Sequence, residues 1–188
     1  MKSISCALLG RSLWLLVAVI CVAQLVSGCA ASPGGINPVS PLKAGTNLTT
    51  FSNLALEVQA ESGVTLSPTD KERISRLIVD TIKKKRPNRF ADINAPAPAP
   101  STLRASVNVT RYDKGNSFAR FMLAGLGQMH IDAHVVLEDQ ATQNTLGRYE
   151  VTKTFAWGGI YGAVTRIDDV EEGFANAVAA LILGTDDR

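Results

Sequence analysis

Met129-His-Ile-Asp-Ala-His-Val-Val-Leu137 alternates without a break, with Met129, Ile131, Ala133, Val135 and Leu137 on one side and His130, Asp132 and His134 on the other. Side chains of an extended chain point to opposite faces in turn, so this stretch predicts a strand with one buried and one polar face. Residues 146–157 repeat the pattern, with Tyr149, Val151, Phe155 and Trp157 in phase. The residues between, 139–145, are rich in turn formers, which predicts an antiparallel hairpin. Working back along the chain, 103–112 alternates as well. Leu103, Ala105, Val107 and Val109 face one way, and Arg104, Ser106, Asn108 and Thr110 face the other. A further strand is expected over 51–60 through Leu54, Leu56 and Val58, and a short one over 89–93.

Two stretches change to helical spacing. Over 67–86, Ile74, Leu77, Ile78 and Ile82 share a face. Ser67 is placed to cap, Pro68 to take the first position, and Asp70 to close a capping box. The basic run Lys83-Lys-Lys-Arg86 suits the negative end of the helix dipole, although it could also touch anionic headgroups. Pro87 stops the helix. Over 168–183, Val170, Phe174, Ala177, Val178 and Leu181 form the stripe. Asp168 is the expected cap, with Glu171 three residues on and Gly184 as the stop. The proline-alanine run over 94–100 reads as an exposed connection. Half-polar strands covered by two singly striped helices predict an α+β two-layer sandwich. The expected sheet is mostly antiparallel, of four to five strands with both helices on one face, and forms a single domain over 50–188.

Outward from that domain, residues 29–49 are dominated by Pro, Gly, Ser and Asn and predict a flexible tether. The first 28 residues have the layout of a secretion signal. Lys2 and Arg11 make a positive start, and 13–23 is an unbroken apolar run too short to span a bilayer as a helix. Val26-Ser27-Gly28-Cys29 resembles the lipobox of bacterial lipoproteins. The resemblance implies cleavage between Gly28 and Cys29, a diacylglyceryl group on the Cys29 sulfur, and an acylated new amino terminus. The membrane is then the first partner, through Cys29. An aspartate after the cysteine tends to retain such proteins at the inner membrane. Ala30 stands there instead, which favours the inner leaflet of the outer membrane, facing the periplasm.

Charge and cysteine usage fit this division. The chain has 19 Lys and Arg against 17 Asp and Glu, and Lys2 and Arg11 account for the excess. The remainder is neutral and poorly suited to attract nucleic acid. Of the three cysteines, Cys6 and Cys21 lie in the signal, so processing leaves Cys29 and no disulfide.

Candidates for function are few. His130, Asp132 and His134 share a strand face, and two imidazoles with a carboxylate could bind zinc or another divalent cation. The plain alternative is the solvent side of an amphipathic strand. Phe118-Ala-Arg-Phe-Met-Leu-Ala-Gly-Leu-Gly127 is either an apolar surface patch for a partner or for lipid, with Phe121 and Met122 outward, or a short helix or turn tucked under the sheet. Trp157-Gly-Gly-Ile-Tyr-Gly162 offers Trp157 and Tyr161 either as partner contacts or as a plug for the sandwich end. No nucleophile elbow or triad is present, so no catalytic residues and no cofactor are expected.

Val107-Asn-Val-Thr-Arg-Tyr112, Arg120-Phe-Met-Leu-Ala-Gly-Leu-Gly127, Leu137-Glu-Asp-Gln-Ala-Thr142, the pair Gly158-Gly159 and the last helix together resemble the bacterial family known as domain of unknown function 4410. Many of its members look like envelope lipoproteins. The resemblance carries over no activity and no catalytic residues. The reading it leaves is a non-enzymatic, lipid-anchored binding or assembly accessory of another envelope protein or polymer. A metal-binding protein or metal-dependent enzyme built on His130, Asp132 and His134 is the alternative.

Overall fold

The computed structural model describes residues 33–95, 99–123 and 126–185. The signal, Gly28 and Cys29 lie outside the described residues. Among the described residues six strands and four α-helices follow in order: β1 (Gly35–Ser40), β2 (Asn53–Ala60), α1 (Pro68–Lys85), β3 (Asp92–Ile93), β4 (Thr102–Asp113), α2 (Ser117–Met122), β5 (Met129–Asp139), β6 (Asn144–Phe155), α3 (Gly159–Val164) and α4 (Ile167–Leu183). They form one sheet in the order β1-β6-β5-β4-β2-β3, covered on one face by α1 and α4.

The alternation over β4 and β5 translates directly into burial. Leu103, Ala105, Val107 and Val109 are buried, as are Met129, Ile131, Ala133, Val135 and Leu137, and the helices meet them with Ile74, Ile78, Phe174 and Val178. Small residues Ala175, Ala177 and Ala179 let α4 lie close in the core. Ser67 caps α1 as expected, its Oγ accepting from the Asp70 amide at 3.1 Å. The Asp70 carboxylate accepts from that hydroxyl at 2.7 Å rather than from the Ser67 amide.

The sheet departs from expectation in size and direction. It is α+β as expected, but six-stranded and mixed. β2 pairs with β4 in parallel because α1 carries the chain back across the sheet face between them. β3, expected over 89–93, contributes two residues, also parallel to β2. Residues 35–40, read as tether, are the edge strand β1, antiparallel to β6. Gly-Ile-Asn-Pro-Val-Ser shows no alternation because its side chains are mostly exposed and its pairing is main-chain alone. An edge position also tolerates Pro38. The following 3-10 turn, Leu48–Thr50, sinks Leu48 into the core.

Two local readings are corrected. The β6 strand ends at Phe155, so Trp157 lies in the loop beyond it. Helix α4 is capped two residues earlier than expected, at Arg166, with the Asp169 carboxylate accepting from the Arg166 amide at 2.8 Å. Asp168 therefore does not cap, and Glu171 is free for another task. Gly184 ends α4 in the left-handed conformation, as its position suggested.

Candidate functional site

The apolar candidates come together at one end of the sheet. Beyond β4, Asn116 caps α2 by accepting from the Ala119 amide at 3.0 Å, and beyond β6 the chain turns into α3. The two short helices pack side by side. Their large side chains face outward. Phe121, Met122, Leu123 and Leu126 are exposed, as are Trp157, Tyr161 and Val164, and Phe118 and Ile160 are 71% and 76% exposed. Of the two readings of this segment, the helix forms, but its apolar side chains are not tucked under the sheet.

A buried arginine holds this platform. Arg120 is 3% exposed. Its Nε donates to the Gly162 carbonyl at 2.8 Å, Nη1 to that of Gly127 at 2.8 Å, and Nη2 to that of Thr165 at 3.2 Å. One guanidinium thus ties α2, the loop after it, and the C-terminal half of α3. Burial pulls its pKa below the ordinary arginine range. The glycines permit the close approach. Gly127 sits at φ 68°, and a Cβ there would fall on the Asn116 carbonyl oxygen. A Cβ on Gly162 would strike the main chain of Trp157. Tyr161 is wedged between core and surface, 5.8 Å from both the Phe155 and the Trp157 ring centroids.

Next to this platform lies a charged cluster that links α1 to α4. Glu171 is fully buried. It accepts from Arg73 Nε at 2.5 Å and Nη2 at 2.7 Å, and from the Tyr112 hydroxyl at 2.6 Å. Arg73 Nη2 also reaches Asp70 at 2.7 Å, and Lys114 Nζ reaches Asp70 at 3.0 Å. Burial by itself would raise the Asp70 pKa, but the bonds from Ser67, Lys114 and Arg73 outweigh it and hold the carboxyl well below its ordinary range. The bond to Glu171 raises Arg73, and burial with the same carboxylate raises Tyr112. Tyr112 reaches this cluster through a β-bulge. Val109 pairs with Ala133 but Arg111 pairs with Asp132, so one extra residue turns Tyr112 from the polar to the buried face.

His130, Asp132 and His134 do share the open face of β5, yet each imidazole has its own partner. His130 Nδ1 lies 3.0 Å from Thr154 Oγ1, and His134 Nδ1 lies 3.2 Å from Glu61 Oε1. Burial, then Arg111, lowers the His130 pKa, and burial raises that of Asp132. Among the described residues no three His, Cys, Asp or Glu side chains group as a metal site. The basic run Lys83–Lys85 occupies the last turn of α1.

Sequence reasoning missed Arg120, Arg73, Tyr112 and the role of Glu171. The available signal was a lone arginine inside the apolar run 118–126, which a membrane-facing or packed segment carries only where carbonyls or carboxylates receive it.

The fold is a half-open two-layer α+β domain with a polar sheet face and an exposed apolar end. The chain belongs to the family described as Domain of unknown function (DUF4410), whose model matches residues 36–159. No curated protein matches it in sequence. Among solved structures it is similar to the PelC dodecamer from Paraburkholderia phytofirmans, at 14% identity and a TM-score of 0.52, covering 82% of this chain and 99% of that one. The L103M variant of that dodecamer gives the same values. A Xanthomonas campestris protein, XCC0632, matches at 12% identity and a TM-score of 0.44, over 81% of this chain and 86% of that one. The PelC likeness shows that the fold is shared.

Proposed function

We propose that this chain is a lipid-anchored cell-envelope protein that works by contact and not by catalysis, as a binding or assembly accessory of another envelope component. The observation that carries the reading is the arginine-stapled apolar platform. Large apolar side chains kept in water on a held scaffold are a binding surface, since an exposed patch of this kind has no stabilising role in a monomer. The lipobox-like Val26-Ser27-Gly28-Cys29 supplies the anchor. Among the described residues no helix is long and apolar enough to cross a membrane. Ala30 favours the outer membrane's periplasmic leaflet over the inner membrane. The polar sheet face, with Asn108, His134 and Glu150 in one cross-strand row, is left open for an envelope protein or polymer.

The test is Cys29→Ser in the native host, with fractionation and cross-linking in intact cells. Release of most of the protein from the membrane fraction, together with loss of its cross-linked partner, is expected. Full membrane retention with unchanged cross-links would sink the reading.

A further inference from the structure

We infer that the α2–α3 platform rests in the lipid bilayer, so that the folded domain lies against the membrane instead of hanging from it. The inference rests on the anchor reading at Cys29 and goes further, giving the apolar platform one occupant, the acyl-chain and headgroup boundary of the same leaflet.

Topology is the first argument. Gly35 at the start of β1 pairs with Thr152, and β1 then runs away along β6 to Ser40 opposite Arg148. In the same direction as Gly35 lie the end of β6 at Phe155, the start of β5 at Met129, and Asp113 opposite His130. The anchored N-terminus therefore enters the fold at the end of the sheet that carries Phe118, Ile160 and Trp157. It could have entered at the opposite end, beside the 139–145 turn.

Reach is the second argument. The fold takes hold at Gly34, whose amide donates to the Gly173 carbonyl of α4 at 3.0 Å. Gly34 lies five residue steps beyond Cys29, and a fully extended chain covers at most about 3.6 Å per step, so roughly 18 Å of tether remains. A domain of this size is on the order of 35–40 Å across. A tether shorter than the domain keeps its exit end next to the lipid surface.

Composition is the third argument. Phe118 and Ile160 are the most exposed members, while Trp157 and Tyr161 are partly sheltered. Aromatic rings with a polar atom favour the headgroup level, and aliphatic side chains and Phe the acyl boundary some 5–10 Å in. Arg120, the one charged residue within α2 and α3, spends its donors on main-chain carbonyls beneath the platform.

Once Trp14 leaves with the signal, Trp157 is the sole tryptophan. It therefore reports on the platform without a label. The protein, purified with its own N-terminal modification, would be placed in vesicles of phosphatidylethanolamine and phosphatidylglycerol with brominated acyl chains, and the N-terminal peptide weighed by mass spectrometry. A lipidated Cys29 with blue-shifted Trp157 emission, largely quenched by bromine and shielded from aqueous iodide, is the expected result. In the double variant Phe118→Ser/Ile160→Ser, the quenching should be lost while the lipid still holds the protein on the vesicle. A lipidated Cys29 with Trp157 unquenched by bromine and open to iodide would overturn the bilayer contact and leave the anchor standing. Shielding from both quenchers with a doubled or larger particle mass would also overturn it, in favour of a second copy. An unmodified Cys29 with Trp157 still quenched would keep the bilayer-facing end and remove the anchor.

Discussion

Arg73 and Arg120 each join two helices, and they are answered in opposite ways. Arg73 links α1 to α4 and is met by carboxylates, Glu171 at 2.5 Å and Asp70 at 2.7 Å. Arg120 links α2 to α3 and is met by three carbonyl oxygens. The difference follows from what else holds each pair. Helices α1 and α4 share a thick apolar interface through Ile74, Ile78, Phe174 and Val178, so the ion pair fixes which way they sit. Helices α2 and α3 turn their apolar side chains to the outside, and main-chain bonds to one guanidinium replace the missing core. A fold that must show apolar surface has to hold that surface by polar means.

The largest break in this comparison should come from Glu171→Ala. It strands Arg73 against the core and takes the acceptor from the Tyr112 hydroxyl. Removing one member of a buried pair destabilises by about 3–5 kcal/mol. Arg73 keeps Asp70 and some solvent access, which places the expected loss near the lower figure, read as the urea midpoint of the mature protein. The double variant Arg73→Met/Glu171→Ala should recover part of it, because no charge is left unanswered. A loss in Glu171→Ala no larger than that in Arg120→Met would mean the two arginines are not differently held.

Arg120→Met should act more locally. Each bond from a charged donor contributes about 1.5–3 kcal/mol, but carbonyls at the end of the sheet can turn to water once released. The expected loss of stability is therefore about 1.5 kcal/mol, well short of three full bonds. The sharper readout is amide exchange, which should quicken over residues 115–127 and 158–165 and leave β5 unchanged. Uniform quickening across the sheet would show that the platform is part of the core and not a separately held end.

The same contrast separates what the amino-acid sequence makes legible from what it hides. Met129 to Leu137 and the Ser67 cap could be read at once, because burial on one face and a helix start both leave local patterns. The apolar end was visible as composition, through Phe121, Met122, Trp157 and Tyr161, but composition could not choose between a patch and a plug. That choice depends on Arg120 finding carbonyls 42 and 45 residues away. The strand at Gly35–Ser40 was hidden because main-chain pairing leaves no side-chain period. Tyr112 was hidden because one bulged residue reverses every later side chain in the strand. Asp168 looked like a cap because cap signals tolerate a shift of two residues, and the choice of Asp169 left Glu171 to Arg73.

The smallest effect is expected on the open face, and it bears on the metal reading of His130, Asp132 and His134. His134 and Glu61 are each about half exposed, and ion pairs so placed are worth little. His130 has a hydroxyl neighbour in Thr154, and burial with Arg111 disfavours its charged form. Neither imidazole is therefore a strong structural element, and His130→Ala/His134→Ala should leave stability within about 0.5 kcal/mol of the parent. That near-neutrality makes the variant a clean control for metal. A cation held by the native face would stabilise the folded form in proportion to its occupancy, and only in the parent. Melting both proteins with and without excess zinc reads this directly, with equal and unshifted transitions expected. A rise confined to the parent would mean the imidazoles leave Thr154 and Glu61 to share a ligand. The open face would then carry chemistry, against the contact role proposed for the apolar end.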